Sequence, residues 1–418
     1  MKHLKHNRNT RNIKRLLLNQ GFIPIGIKTL DAGRWAGLCL PAMVHPKETK
    51  MAMTATQERA PETAPPRAPA EEFAGRMLQT LNSGALCLMI SVGHRTRLFD
   101  TMAAMPPATS ETIALSAGLN ERYVREWLGA MVTGGIVEYD PSRRTYYLPP
   151  ERAAVLTRRT PTDNMAVVSQ FIPVLASVED DIVACFENGG GVPYAKFRRF
   201  HDVMAEESGQ SVLPALREHI LPLVPGLAER LEAGIRVMDA GCGRGKALNL
   251  MASWYPRSQF AGFDLSEDAI DYARREAREL GNKNVEFMAH DLSHFDRDAE
   301  PGSFDLVTSF DAIHDQANPA GFLRGIRKSL SADGVYLAQD IKGSSHVHKD
   351  VDHPLGTMMY TVSCMHCMTV SLAQDGEGLG AMWGREKALA YFKDAGFRSV
   401  EVRELDHDIV NYYYVCRP

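Results

Sequence analysis

From residue 73 onward the chain alternates between two hydrophobic periodicities. Apolar residues first recur at helical spacing, at Phe73, Met77, Leu81, Ala85 and Leu88, which predicts an amphipathic helix opening a folded domain. Thr109 to Gly118 reads as a short second helix. Asn120 is placed to cap a third, whose Val124, Trp127, Leu128, Met131 and Val132 form one apolar stripe before Gly134 and Gly135 stop it. Ile136 to Tyr139 and Thr145 to Leu148 are β-branched and aromatic, and they flank the turn formers Asp140, Pro141 and Ser142, so they should pair as a hairpin. Helix, turn, helix and hairpin predict a winged helix over 73–150. Residues 151–230 carry mixed helical patterns around Phe171 to Val183 and Val212 to Leu231, interrupted by Asn188 and Gly189 to Gly191. We expect this stretch to bridge two domains by packing.

Beyond Ile235 the period shortens. Ile235–Asp239, Phe260–Asp264, Val285–Met288, Phe304–Ser309 and Val335–Asp340 are strand-like runs separated by amphipathic helical patterns, which predicts a mainly parallel, doubly wound α/β sheet. Ser399–Arg403 and Ile409–Cys416 lie too close for a crossover and should end that sheet as an antiparallel hairpin.

Composition adds few constraints. At 418 residues, 44% hydrophobic, 23% charged and a net charge of −4, the chain suits two compact soluble domains with no general drive toward polyanions. Seven scattered cysteines, an odd number, argue for reduced thiols and a cytoplasmic setting. No apolar run is long enough to span a bilayer. Residues 1–30 hold seven Lys or Arg and no acid, and Thr54–Glu72 is rich in Ala, Glu, Thr and Pro. We expect 1–72 to be a disordered extension and linker, with 1–50 arising from upstream translation ahead of Met51 and Met53.

The first strand of the α/β half runs into Asp239-Ala-Gly241-Cys242-Gly243-Arg-Gly245, after which a helical pattern resumes. Glycine is needed where a ligand lies across a strand end, because a β-carbon would hold the backbone away. A nicotinamide site would show G-x-G-x-x-G; here the spacing is G-x-G-x-G behind an acid. A carboxylate aimed at that turn suits a ligand bearing an ammonium and a sulfonium better than a pyrophosphate.

On these residues, 235–418 resembles a class I S-adenosylmethionine-dependent methyltransferase domain, with Val237 to Gly245 matching the family's glycine signature. The resemblance implies a seven-stranded Rossmann-like sheet, with S-adenosylmethionine held at Asp239, Gly241, Cys242, Gly243 and Gly245. It further implies that Asp264, ending the second strand beside Leu265, takes the ribose hydroxyls. By the same likeness Asp291 takes the adenine amino group with Leu292 beside the ring, His290 faces elsewhere, and Phe310 completes the cofactor set. With the winged helix included, 73–418 resembles bacterial two-domain methyltransferases of a mycobacterial type, a likeness that leaves the substrate open; we expect a small-molecule oxygen, nitrogen or sulfur acceptor and a homodimer.

The acceptor side is expected after the fourth strand, in Phe310 to Asp315, where His314 is the candidate catalytic base or acceptor-orienting group. An insertion at 342–384 should form a lid, hinged at Gly376, Gly378 and Gly380. Its Cys364, His366 and Cys367 fall short of the four ligands of a closed zinc site, so no metal is expected; arsenite capture would want a third thiolate. The recognition-helix position offers Glu121, Arg122, Arg125 and Glu126, whose charges cancel. Dimerisation or closure over the substrate is therefore expected of the winged helix in place of DNA contact. The alternative is a cofactor-responsive winged-helix transcriptional regulator; a nicotinamide oxidoreductase ranks below it.

Overall fold

The computed structural model describes residues 67–159, 162 and 164–418. The expectations for 1–66, including upstream translation and most of the linker, lie outside the described residues. The described residues from 67 onward belong to one compact unit.

Helix α1, Arg67–Arg95, begins six residues before the expected start of folded structure, so the linker does not extend to Glu72. Its amphipathic reading needs correction. Phe73, Met77, Leu81 and Leu88 are exposed, while Leu86, Met89 and Ile90 pack on the winged-helix core. Helices α2 (Leu98–Ala103), α3 (Ser110–Ala117) and α4 (Glu121–Thr133) follow. The expected caps are present: Thr109 accepts from Thr112 N, Gly118 turns left-handed at φ 66°, and Asn120 accepts from Arg122 N. Trp127, 1% exposed, donates Nε1–H to the Met89 carbonyl at 2.8 Å and meets Phe99 edge-on. The turn falls where expected, with Asp140 accepting from Ser142 N, but the wing is shorter, β1 Glu138–Asp140 and β2 Thr145–Tyr147, because Ile136 N and Val137 N donate to the Met131 carbonyl of α4 and do not pair across the hairpin.

The sheet has seven strands in the order β5-β4-β3-β6-β7-β9-β8. β3 (Arg236–Ala240), β4 (Gln259–Asp264), β5 (Val285–Ala289), β6 (Phe304–Phe310) and β7 (Leu330–Ile341) are parallel neighbours. β8 (Ser399–Arg403) and β9 (Asn411–Arg417) form the expected hairpin, with β9 inserted between β7 and β8. β7 extends well before the expected Val335, through a register shift opposite Phe304. Apolar clusters cover both faces, as a doubly wound sheet requires. Strand order reverses between β3 and β6, which opens a crevice at their carboxyl ends, where ligands bind in such sheets.

Trp127→Ala removes a buried ring and a hydrogen bond from the small winged-helix core. It should lower stability by about 3–5 kcal/mol in denaturant titration, and a loss under about 1 kcal/mol would contradict this packing.

Candidate active site

β3 ends at Ala240, and the next five residues fold into a turn that glycine alone tolerates without strain. Gly241, Gly243 and Gly245 have φ of 78°, 52° and 64°. A β-carbon on Gly245 would stand 2.4 Å from the Phe287 ring and 2.7 Å from Ala273, whereas one on Gly243 would meet nothing within 4 Å. Gly245 is thus fixed by the packing of Phe287 and Ala273 at the start of α5 (Lys246–Trp254), whereas Gly243 is favoured by its left-handed φ and leaves the main chain bare beside open space.

Asp264, at the end of β4, ties the turn down. Its Oδ2 accepts from Gly243 N at 2.8 Å and its Oδ1 from Ser266 N at 2.9 Å. Asp239 is 2% exposed and accepts from the Thr308 hydroxyl at 2.8 Å; burial pushes its carboxyl up to about 7. Burial likewise drives the Cys242 thiol well above its ordinary value. Asp291 caps the short turn Leu292–His294 by accepting from Ser293 N at 2.9 Å.

These groups share one cavity of about 600 Å³, lined by Asp239, Gly241, Cys242, Gly243, Asp264, Leu265, Asp291, Leu292 and Phe310 among others. Gly245 lies behind the turn, outside that lining. His290 was expected to face elsewhere but is among the residues lining the cavity, with its ring 3.7 Å from Asp298 and edge-on to Phe263.

The roof is the main feature missed by sequence reasoning. Residues 194–213, taken as packing, supply a whole wall including Tyr194, Phe197, Phe200, His201 and Met204. The expected lid at 342–384 contributes Val370 and Gln374. One of its glycines is required by space: a β-carbon on Gly376 would sit 2.5 Å from Ala317 and 2.6 Å from Ser371 Oγ. Roof and turn are joined by Arg244, which pairs with Asp202 at 2.6 Å and lies over the Tyr272 ring. The roof is also wired to the winged helix. Glu206, on the helix Phe200–Ser208, meets His94 at 2.8 Å, Arg158 at 3.4 Å and Gln170 at 2.9 Å. Burial would raise the Glu206 carboxyl, but these donors outweigh it and hold it down at about 2. No sequence motif marks this network, since its four members, His94, Arg158, Gln170 and Glu206, lie far apart in sequence.

His314 sits behind the wall. It is 3% exposed, absent from the lining, and its Nδ1 is 2.7 Å from Asp340 Oδ1. Burial would lower its imidazole, yet the Asp340 and Asp315 carboxylates prevail and hold it well above the ordinary range. With Nδ1 turned onto Asp340 and the ring outside the lining, it is not placed to take a proton from an acceptor directly. Asp315 and Asp311 are the groups that reach the cavity there, both with carboxyls raised mainly by burial.

Residues 231–396 match the family described as a methyltransferase domain, and 84–158 match the Rv2258c-like winged helix–turn–helix domain. A ubiquinone biosynthesis O-methyltransferase of Neisseria meningitidis is 29% identical over 160 residues, 37% of this chain and 64% of that protein, so the chain spans under two thirds of this relative. Among solved structures, an O-methyltransferase family protein from Burkholderia thailandensis superposes with a TM-score of 0.62 at 15% identity, covering 82% of this chain and 98% of that one. Human N-acetylserotonin methyltransferase, solved with S-adenosylmethionine, gives 0.60 at 16% identity, covering 82% and 97%. A winged helix–turn–helix domain ahead of a methyltransferase domain on a seven-stranded sheet gives the chain the organisation of a two-domain class I S-adenosylmethionine-dependent methyltransferase.

Proposed function

We propose that the protein transfers the methyl group of S-adenosylmethionine to an oxygen, nitrogen or sulfur of a small molecule. The observation that carries this reading is the bare left-handed turn at Gly241–Gly245, flanked by two strand-end carboxylates in one cavity. In it, Gly243 leaves main chain open to the cofactor, Asp264 offers its remaining lone pairs to the ribose hydroxyls, and Asp239 faces the cationic end. Asp291, with Leu292 and His290 beside it, takes the adenine, and Leu265 and Phe310 complete the apolar contacts. Methyl transfer from a sulfonium is an in-line displacement with a neutral leaving group. The protein's main tasks are then to align the acceptor and exclude water, which the roof over 194–213 suits. His314 serves as the acceptor-orienting group through Asp315, which reaches the cavity where it does not.

We assign 73–150 to dimerisation and roof support, 151–230 to the roof, 231–418 to the cofactor and 342–384 to the acceptor end. Dimerisation rests on α1, where Phe73, Met77, Leu81, Leu88 and Val92 are all exposed. DNA contact has weaker support, since Arg122 and Arg125 on α4 are paired with Glu126 and Glu121 of the same helix. That counts equally against the regulator reading. Among the described residues no helix is long and apolar enough to cross a membrane. The six described cysteines are free thiols, in keeping with a cytoplasmic setting.

Two outcomes test this reading. Asp239 is protonated below about pH 7 when the cavity is empty and must ionise to face a cation. Affinity for S-adenosylmethionine should therefore rise with pH, falling up to about tenfold per unit below pH 7, and Asp239→Asn should bind more weakly with that slope removed. Calorimetry showing the same slope in the variant would refute the role. Separately, light scattering should give a dimer that Phe73→Glu combined with Leu81→Glu converts to a monomer; a monomeric wild-type chain would refute the α1 interface.

A further inference from the structure

Three ligand-type side chains that lie far apart in sequence converge beneath the acceptor end of the cavity. His314 and Asp315 follow β6, Cys367 lies in the turn Ser363–Cys367, and one nitrogen, oxygen or sulfur atom from each lies within 4.8 Å of the others. His314 Nε2 and Asp315 Oδ1 are 3.5 Å apart. Zinc bonds of about 2.0–2.1 Å opened at a tetrahedral angle place two such atoms about 3.3 Å apart, so little movement is needed to take up an ion.

The support around the cluster is that of a ligand set. His314 Nδ1 donates to Asp340 Oδ1 at 2.7 Å, and the same oxygen is fixed by Ile341 N at 2.9 Å and Trp383 Nε1 at 3.1 Å. A histidine whose outer nitrogen is held by a buried carboxylate presents its other nitrogen in a fixed direction, the usual arrangement behind a metal. Asp315 Oδ1 is buried and makes no hydrogen bond, with His314 Nε2 standing 3.5 Å away, so its acceptor capacity is unspent. Cys367 is 4% exposed and its thiol is within hydrogen-bond reach of both other residues.

We propose that His314, Asp315 and Cys367 bind one divalent cation of borderline softness, zinc(II) being the best match, with a fourth position open where Asp315 lines the cavity. Binding requires the coordinating nitrogen, oxygen and sulfur to be deprotonated, and any protons they carry go to solvent. Imidazole, carboxylate and thiolate with one open position make a catalytic type of zinc site, as opposed to a structural one. Counting ligands within 363–368 fell short because the completing pair comes from the end of β6. Cys364 lies outside the cluster, and His366 is buried against the Phe200 ring. The cation site stands on its own geometry; its use, holding an acceptor oxygen or sulfur, rests on the methyltransferase reading.

The test is titration of the chelator-treated full chain with cobalt(II), followed by zinc(II), with S-adenosylhomocysteine binding measured in parallel. One cobalt per chain is expected, with a thiolate-to-metal absorption band that zinc abolishes and that Cys367→Ser lacks. Cys364→Ser should keep the band. Asp340→Asn retains all three ligands and should weaken the metal about 10- to 100-fold. A Cys367→Ser protein that still binds S-adenosylhomocysteine has lost the site and not its fold; should it lose both, the same comparison made with Asp315→Asn replaces it. Absence of saturable metal binding by the wild-type chain, or an unchanged band in Cys367→Ser, would overturn the proposal. So would metal-free binding of an alkylammonium that depends on Asp315, which would give that oxygen an organic cation. Loss of S-adenosylhomocysteine binding alone, with the cobalt band intact, would count against the methyltransferase reading and leave the site standing.

Discussion

One carboxylate is shared between two strand ends, and the cofactor side of the molecule takes its shape from that sharing. Asp264 accepts from Gly243 N with one oxygen and from Ser266 N with the other, so the end of β4 fixes both the turn after β3 and the start of the next helix, Glu267–Leu280. Charge-assisted bonds of this kind are among the stronger ones available to a backbone amide. The left-handed turn needs such a tie because glycine, which alone fits it, is also the residue with most freedom to leave it.

Around that tie the cavity is unevenly charged. Asp239, Asp311 and Asp315 are all buried enough that their carboxyls are raised, a state that a cationic ligand would reverse. The roof answers a different need, since it closes the crevice with aromatic rings while Arg244 to Asp202 and Glu206 to His94 hold it at both ends. The winged helix thereby contributes to the cavity without lining it. Its surface arginines on α4 are occupied by their own helix neighbours.

Much of this was legible in the residue pattern, and what was not shares a cause. The strands, caps and glycine turn are local, and Asp239, Asp264, Asp291, Leu265, Leu292 and Phe310 all reach one cavity because each sits at a strand end that periodicity can locate. The roof was illegible because Tyr194 to Leu213 is broken into short helices with no stripe to read, and its function depends on what lies beneath. His314 was placed correctly in sequence but one layer too near the ligand, since period alone does not reveal that Asp340 draws its ring inward. The apolar run of α1 was read as one face of an amphipathic helix opening a folded domain, yet that run is largely exposed, because periodicity detects a face and not its partner.

The central claim is that the turn after β3, held by Asp264, accepts an adenosyl sulfur compound in preference to a dinucleotide. Parallel calorimetric titrations of the wild-type chain with S-adenosylhomocysteine and with NAD test it most directly, repeated with Asp264→Ala. Saturable one-to-one binding of S-adenosylhomocysteine is predicted, weakened about 10- to 100-fold in the variant, with no NAD binding. Tight NAD binding without S-adenosylhomocysteine binding, or an affinity untouched by Asp264→Ala, would contradict it.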